Sequence, residues 1–267
     1  MKAFKYLILI AFTLCIACQT TTKKPGQEKI DKKDIQKEID EIMYPLPSPF
    51  ELTNMLNEIE ASFIIGITNE PENVTKYLSM PSQALNLGIY SSDLAYAATY
   101  NLSNEINLYL SSIKDLAKEL DITGAVTKDL ASKIEESIEN KDKVADVITD
   151  LFYETYSYLN KNGNAEISYL ILSGTWIEGI YLTTNISENT FDNINIIKII
   201  MKQEESLKKI IELMENYKEN EMIKPVLNKL NEIMAIYEIE EGTDALSLSQ
   251  LQKITTLVID YRSEIIM

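Results

Sequence analysis

Two acidic residues in apolar, small-residue surroundings are the first in this chain whose setting suggests chemistry. Asp93 lies in Tyr90-Ser91-Ser92-Asp93-Leu94-Ala95-Tyr96, and Glu178 in Trp176-Ile177-Glu178-Gly179-Ile180-Tyr181. A carboxylate among such neighbours loses hydration and needs a partner, a metal or a pocket. If the two segments face each other, the acids bracket a small polar ligand, with Tyr90, Tyr96, Trp176 and Tyr181 as its walls. The same pair could serve as acid and base of a carboxylate-dependent envelope hydrolase acting on glycans. The plainer reading has each acid pointing outward or meeting a tyrosine hydroxyl or a helix end. With so few cations suited to burial, the expected partner is a Lys, a tyrosine hydroxyl, water or a bound cation. Calcium asks for about six or more oxygens, so two acids make a poor metal site. A polar ligand or a structural network is therefore favoured, with no metal and no cofactor.

Composition removes most other chemistry. The chain has no His, which excludes Ser-His-Asp and Cys-His nucleophile systems and His-ligated metals. Its two cysteines, Cys15 and Cys18, both precede the body, which so lacks thiols. Arg262 is the sole arginine, so bidentate clamps on phosphate or carboxylate are nearly absent. A net charge of −16 argues against nucleic acid and against electrostatic attraction to anionic lipid. Phosphate-cradling glycine loops, dinucleotide fingerprints, nucleophile elbows and EF-hand loops are missing, and no catalytic residue is assigned.

The N-terminus reads as an address. Lys2 and Lys5 precede an apolar run, Tyr6 to Leu14, of signal-peptide length. It ends in Cys15-Ile16-Ala17-Cys18, which resembles the lipobox of bacterial lipoproteins, although Cys15 stands where that pattern prefers Leu. The resemblance implies a signal peptide over 1–17, cleavage after Ala17, and diacylglyceryl and acyl (palmitate-type) chains on Cys18. Several buried acyl chains anchor far more firmly than one. Gln19, which is not Asp, implies by the same resemblance sorting to the outer membrane, on its periplasmic or surface face. Residues 18–44 form the lipidated Cys and a charged tether: Thr20 to Gln27 has nothing apolar to bury, and from Glu28 to Glu41 most side chains are charged. Tyr44-Pro45-Leu46-Pro47-Ser48-Pro49 cannot be helical before Ser48 and marks the start of a 45–267 domain.

That domain reads as all-α, an irregular multi-helix bundle or a short solenoid-like stack of about eight to ten helices. Ser48-Pro49-Phe50-Glu51 is a helix start, with Leu52, Met55, Leu56, Ile59 and Phe63 on one face. A short helix is expected near Val74 to Leu78, a long one from Pro81-Ser82 to about Tyr100, and one capped by Ser103 running to about Leu120. Asp121 to Gly124 reads as a turn, Thr127 with Asp129 as a helix start, and Val144 to Leu159 as an apolar stripe. Asn160-Lys161-Asn162-Gly163-Asn164 terminates that stripe, and Ala165 to about Thr183, apolar almost all round, reads as the buried central helix. Helices follow around Leu207 to Tyr217 and Ile223 to Tyr237. Ser247 and Gln250 open a last one, with Leu251, Ile254, Val258, Tyr261 and Ile265 apolar.

An offset of 85 residues pairs Leu87 with Leu172, Asp93 with Glu178, Tyr96 with Tyr181 and Thr99 with Thr184. Both stretches are rich in Gly, Ser and Ala, which let helices approach closely. Tyr44 to Glu51, Leu85-Asn86-Leu87-Gly88-Ile89-Tyr90 and Asp93-Leu94-Ala95-Tyr96-Ala97 resemble a family of helical Bacteroidetes lipoproteins over most of residues 44–267. That resemblance brings no catalytic residues with it. The expectation is a lipid-anchored, non-enzymatic binding or scaffold module, contacting an envelope protein or a small polar ligand.

Overall fold

The Ser79 hydroxyl accepts from the Ser82 N–H, Pro81 sits in the first turn, and a helix runs from there over Met80–Thr99 (α1). A computed structural model describes residues 63–124, 128–137, 141–185, 190–238 and 246–267. The signal-peptide run, Cys18, the tether, the Pro-rich boundary and the helix expected from Ser48 lie outside the described residues.

After α1 come α2 (Ser103–Glu119), α3 (Lys128–Ser137), α4 (Lys141–Lys161), α5 (Ala165–Asn185), α6 (Ile194–Glu215), α7 (Ile223–Met234) and α8 (Leu248–Ile266). Two short 3-10 helices, Pro71–Lys76 and Thr190–Asp192, complete the described elements, among which there is no strand. The chain is an all-α multi-helix bundle. Among the described residues no helix is long and apolar enough to cross a membrane.

Local chemistry sets the boundaries. Ser247 and Gln250 cap α8 reciprocally, each side chain meeting the other's backbone N–H. The turn between α4 and α5 uses Gly163 at φ 78°, a left-handed conformation that costs glycine little. Asn101 and Asp121 reverse the chain after α1 and α2 at φ 53° and 56°, a region these two residue types tolerate better than most. Because the reversal at Asn101 starts α2 early, Leu102 occupies the cap position and the Ser103 hydroxyl does not cap it. The short helix expected from Val74 to Leu78 is a 3-10 helix set by Pro71, and it ends before an extended Tyr77.

Two helices, where the sequence suggested one, form the centre. All of α5 is buried except Glu166, Tyr181 and Asn185, and α1 is buried from Gln83 to Thr99 apart from Ser91. They lie against each other at glycines. A Cβ on Gly88 would overlap the Ile171 carbonyl oxygen, and one on Gly174 would overlap that of Leu85. Hydroxyls fill the remaining polar needs of the seam: Thr175 donates to Gly88 O (3.3 Å) and Ser92 to Thr175 O (3.2 Å). Further along, Tyr96 packs with Leu182, so the contacts advance in one direction on both helices and the pair is parallel. The 85-residue offset thus relates two helices that face each other. Their surroundings match in part: α2 packs on α1 as α6 packs on α5, and both α4 and α8 lie across the central pair, whereas α3 packs on α4 and α7 mainly on α6.

Because the atoms met at both glycines belong to the backbone, the seam cannot yield by a rotamer change. Gly88→Ala and Gly174→Ala should each lower the unfolding free energy by about 1–3 kcal/mol or more, read from urea unfolding curves. Equal stability in both variants would contradict the seam.

Candidate functional site

Glu178 projects from the middle of α5 with no exposed surface. Its two oxygens meet Arg262 of α8: Nε donates to Oε2 at 2.6 Å and Nη2 to Oε1 at 2.9 Å. This is the planar fork that guanidinium and carboxylate make best. Arg262 also donates from Nη2 to Ile67 O (3.2 Å), and its Cζ lies 3.8 Å from the centroid of the Tyr181 ring. Burial opposes the charge on Arg262, but Glu178, Asp93 and Tyr181 together hold its affinity for the proton above the ordinary arginine value.

Asp93, on α1, is as deeply buried as Glu178. Its Oδ2 accepts from the Asn69 backbone N–H at 3.1 Å, while Oδ1 has no hydrogen-bond partner. Burial pushes this carboxyl well above the usual carboxylate range. The nearby Glu178 charge adds to the rise, and Arg262 and the Asn69 N–H oppose it.

Asp93 directly, and Glu178 through Arg262, are thus tied to the strap of residues 63–70, which forms no helix. Tyr96 OH accepts from Ile64 N (3.1 Å), Tyr109 OH donates to Thr68 Oγ1 (2.7 Å), and Tyr90 OH donates to Glu70 O (2.9 Å). The Asn69 amide donates to Tyr77 OH (2.9 Å) and Asn86 Oδ1 (3.3 Å). Asn86 in turn donates to Ile265 O at 2.9 Å, near the C-terminal end of α8. Burial raises Tyr77, Tyr90 and Tyr96, so their hydroxyls stay neutral hydrogen-bonding groups.

The six residues singled out from the sequence are placed as follows. Asp93 and Glu178 come together. Tyr90 and Tyr96 are buried, but their hydroxyls serve the strap backbone, and Tyr96 stacks on Phe63 with centroids 5.3 Å apart. Tyr181 covers the guanidinium. Trp176 is buried with its Nε1 unpartnered. A groove of about 360 Å³ lies elsewhere, at Val74, Tyr77, Leu78, Gln83, Asp115 and Lys118, and contains none of the six. The partner expected for the acids was a Lys, a tyrosine hydroxyl, water or a cation. The partner that answers Glu178 is Arg262, because α8 carries the lone arginine onto its buried face.

Arg262, Asn69 and Asn86 were missed. Arg262 had a signal: it follows Val258 by four and precedes Ile265 by three, on the apolar side of α8. Asn86 stands between Leu85 and Leu87, also a polar residue out of place. Asn69 offered none, since its partners lie far along the chain. Among the described residues no three acids gather as metal ligands. Comparison with protein-family models, curated proteins and solved structures gives no match.

Removing one partner of a buried ion pair leaves an uncompensated charge. Glu178→Gln and Arg262→Met should each cost about 3–5 kcal/mol of stability. The Glu178→Met, Arg262→Met double variant should lose clearly less than the sum of its single replacements. Denaturant unfolding of the four proteins of that cycle checks this, and additive losses would mean the pair is not coupled.

Proposed function

We propose that this chain is a lipid-anchored cell-envelope protein whose helical domain is a non-enzymatic binding or scaffold module. One observation carries the non-catalytic part. The Glu178 carboxylate, the group a hydrolase would need free, is enclosed and committed through both oxygens to Arg262. A nucleophile or general base must reach its substrate within hydrogen-bonding distance. Here the buried polar groups are used instead to fix the strap and the central helices, which leaves the outer helix faces as the working surface.

The anchor rests on the sequence: Lys2, Lys5, the apolar run Tyr6 to Leu14, and Cys18 after Ala17. Cleavage there leaves Cys18 at the N-terminus, acylated, followed by a polar tether that lets the domain stand clear of the bilayer. Gln19 supports the outer membrane as destination. The partner in this reading is an envelope protein or a small polar ligand, and the chain groups with the helical Bacteroidetes lipoproteins that its motifs resemble.

Cys18→Ser, expressed in the native host, should move the protein from the membrane fraction to the soluble fraction and abolish incorporation of labelled fatty acid. Membrane retention without acylation in the wild type would overturn the anchor. Cross-linking in the intact envelope should trap a defined partner that the purified domain also binds. Turnover of envelope glycans by the wild-type domain, lost in Glu178→Gln at matched folded fraction, would overturn the non-enzymatic reading.

A further inference from the structure

Two buried acids face one buried guanidinium at the heart of the bundle, and the charges do not balance if both acids are ionised. The donor inventory is equally lopsided. Arg262 directs its Nε and Nη2 hydrogens at both Glu178 oxygens and at Ile67 O. Asp93 receives one donor, the Asn69 N–H, on Oδ2, and nothing on Oδ1, although the residue has no exposed surface. An ionised oxygen so enclosed and unmatched loses its hydration without compensation. A protonated oxygen is a donor, and the Glu178 side chain is its hydrogen-bonding neighbour.

We propose that Asp93 carries a proton on Oδ1 at neutral pH and donates it to the Glu178 carboxylate, making the Asp93–Glu178–Arg262 triad a neutral, proton-linked latch for the 63–70 strap. The proton brings the triad to zero net charge, with one cation, one anion and one neutral acid. It gives Oδ1 a partner and leaves Oδ2 as the acceptor for Asn69. The other groups acting here are neutral: Tyr77, Tyr90 and Tyr109 are each raised by burial. Glu178 from α5 and Arg262 from α8 are the charged groups that set the balance. Losing the proton puts a second anion beside Glu178, on the facing helix of the tightest contact in the bundle. The latch then works against the packing that holds Ile67 and Asn69.

The sign follows from linkage. The folded state holds this proton more tightly than the unfolded chain, whose Asp titrates near ~3.9. The stability it provides is full below that pH and is lost as pH rises toward the folded-state titration of Asp93. Asp93→Asn copies the protonated acid, with an N–H donor toward Glu178 and an oxygen toward Asn69, and does not titrate.

The test compares the wild-type chain with Asp93→Asn in urea unfolding from about pH 4 to about pH 9, where the unfolded Asp is ionised. The wild-type folding constant, divided by that of the variant, should fall about tenfold per pH unit until Asp93 ionises, then level off. The variant should be at least as stable as wild type at neutral pH. The protection of the Ile64 and Asn69 amides, taken relative to their intrinsic exchange rate at each pH, should fall as pH rises toward the levelling pH in wild type but not in the variant. A variant less stable than wild type at neutral pH, by a margin that grows as pH rises from 4, would overturn the proposal. Infrared difference spectra of wild type with isotope-labelled aspartate give a second reading that needs no variant. A protonated carboxylic C=O band at neutral pH supports the latch, and a carboxylate-only spectrum overturns it.

Discussion

Arg262 and Glu178 meet where neither can be hydrated, and most polar contacts at the centre of the bundle are arranged around that meeting. The bond spans 84 residues of sequence and ties the last helix to the central pair. Two buried ions recover their lost hydration only when geometry is good and the remaining donors are used. Here the fork is bidentate, a further guanidinium hydrogen reaches Ile67 O, and the Tyr181 ring covers the flat face. A buried pair of this kind need not add net stability over an apolar pair of equal volume. What it adds is a requirement that α5, α8 and the strap adopt one relative position.

Glycine and hydroxyl side chains make that position reachable. Gly88 and Gly174 bring the α1 and α5 backbones into contact, and Ser92 and Thr175 bridge the seam to the opposite helix's carbonyls. Close approach is what sets Asp93 beside Glu178. Larger residues at either glycine would separate the acids and open a void along the central pair. The tyrosines complete the arrangement from outside, since Tyr90, Tyr96 and Tyr109 hold the strap at Glu70, Ile64 and Thr68. An irregular segment carries unpaired backbone groups, and the Tyr90 and Tyr96 hydroxyls satisfy two of them, while Tyr109 bonds the Thr68 hydroxyl.

Much of this was legible in the sequence. Apolar periodicity located α4, α7, α8 and the C-terminal part of α6, whose first turns from Ile194 went unread; the Ser247–Gln250 pair marked the start of α8, and an all-apolar run identified α5 as central. The setting of Asp93 and Glu178 implied that both acids need partners, and the offset of 85 residues put them in equivalent places. The identity of the partner was hidden because pairing over such distances is decided by tertiary packing, which no local window reports. The same reason hid how completely α1 is buried: Gln83, Asn86, Ser92 and Asp93 interrupt its apolar run, yet each is satisfied or enclosed by a neighbouring element. A pocket walled by aromatics was a fair expectation from residue types alone. The rings are present, but the strap lies beside Tyr90 and Tyr96 and takes up their hydroxyls, and Tyr181 lies over the guanidinium.

Having a single arginine makes the central bond open to direct observation. In protein carrying nitrogen-15 only in arginine, the Nε–H signal belongs to Arg262 alone. A guanidinium fixed on Glu178 under the Tyr181 ring should give one sharp Nε–H resonance, exchanging slowly with water and showing through-space contact to the Tyr181 ring protons. A fast-exchanging, motionally averaged signal with no contact to the ring would contradict the buried pair on which this account of the bundle stands.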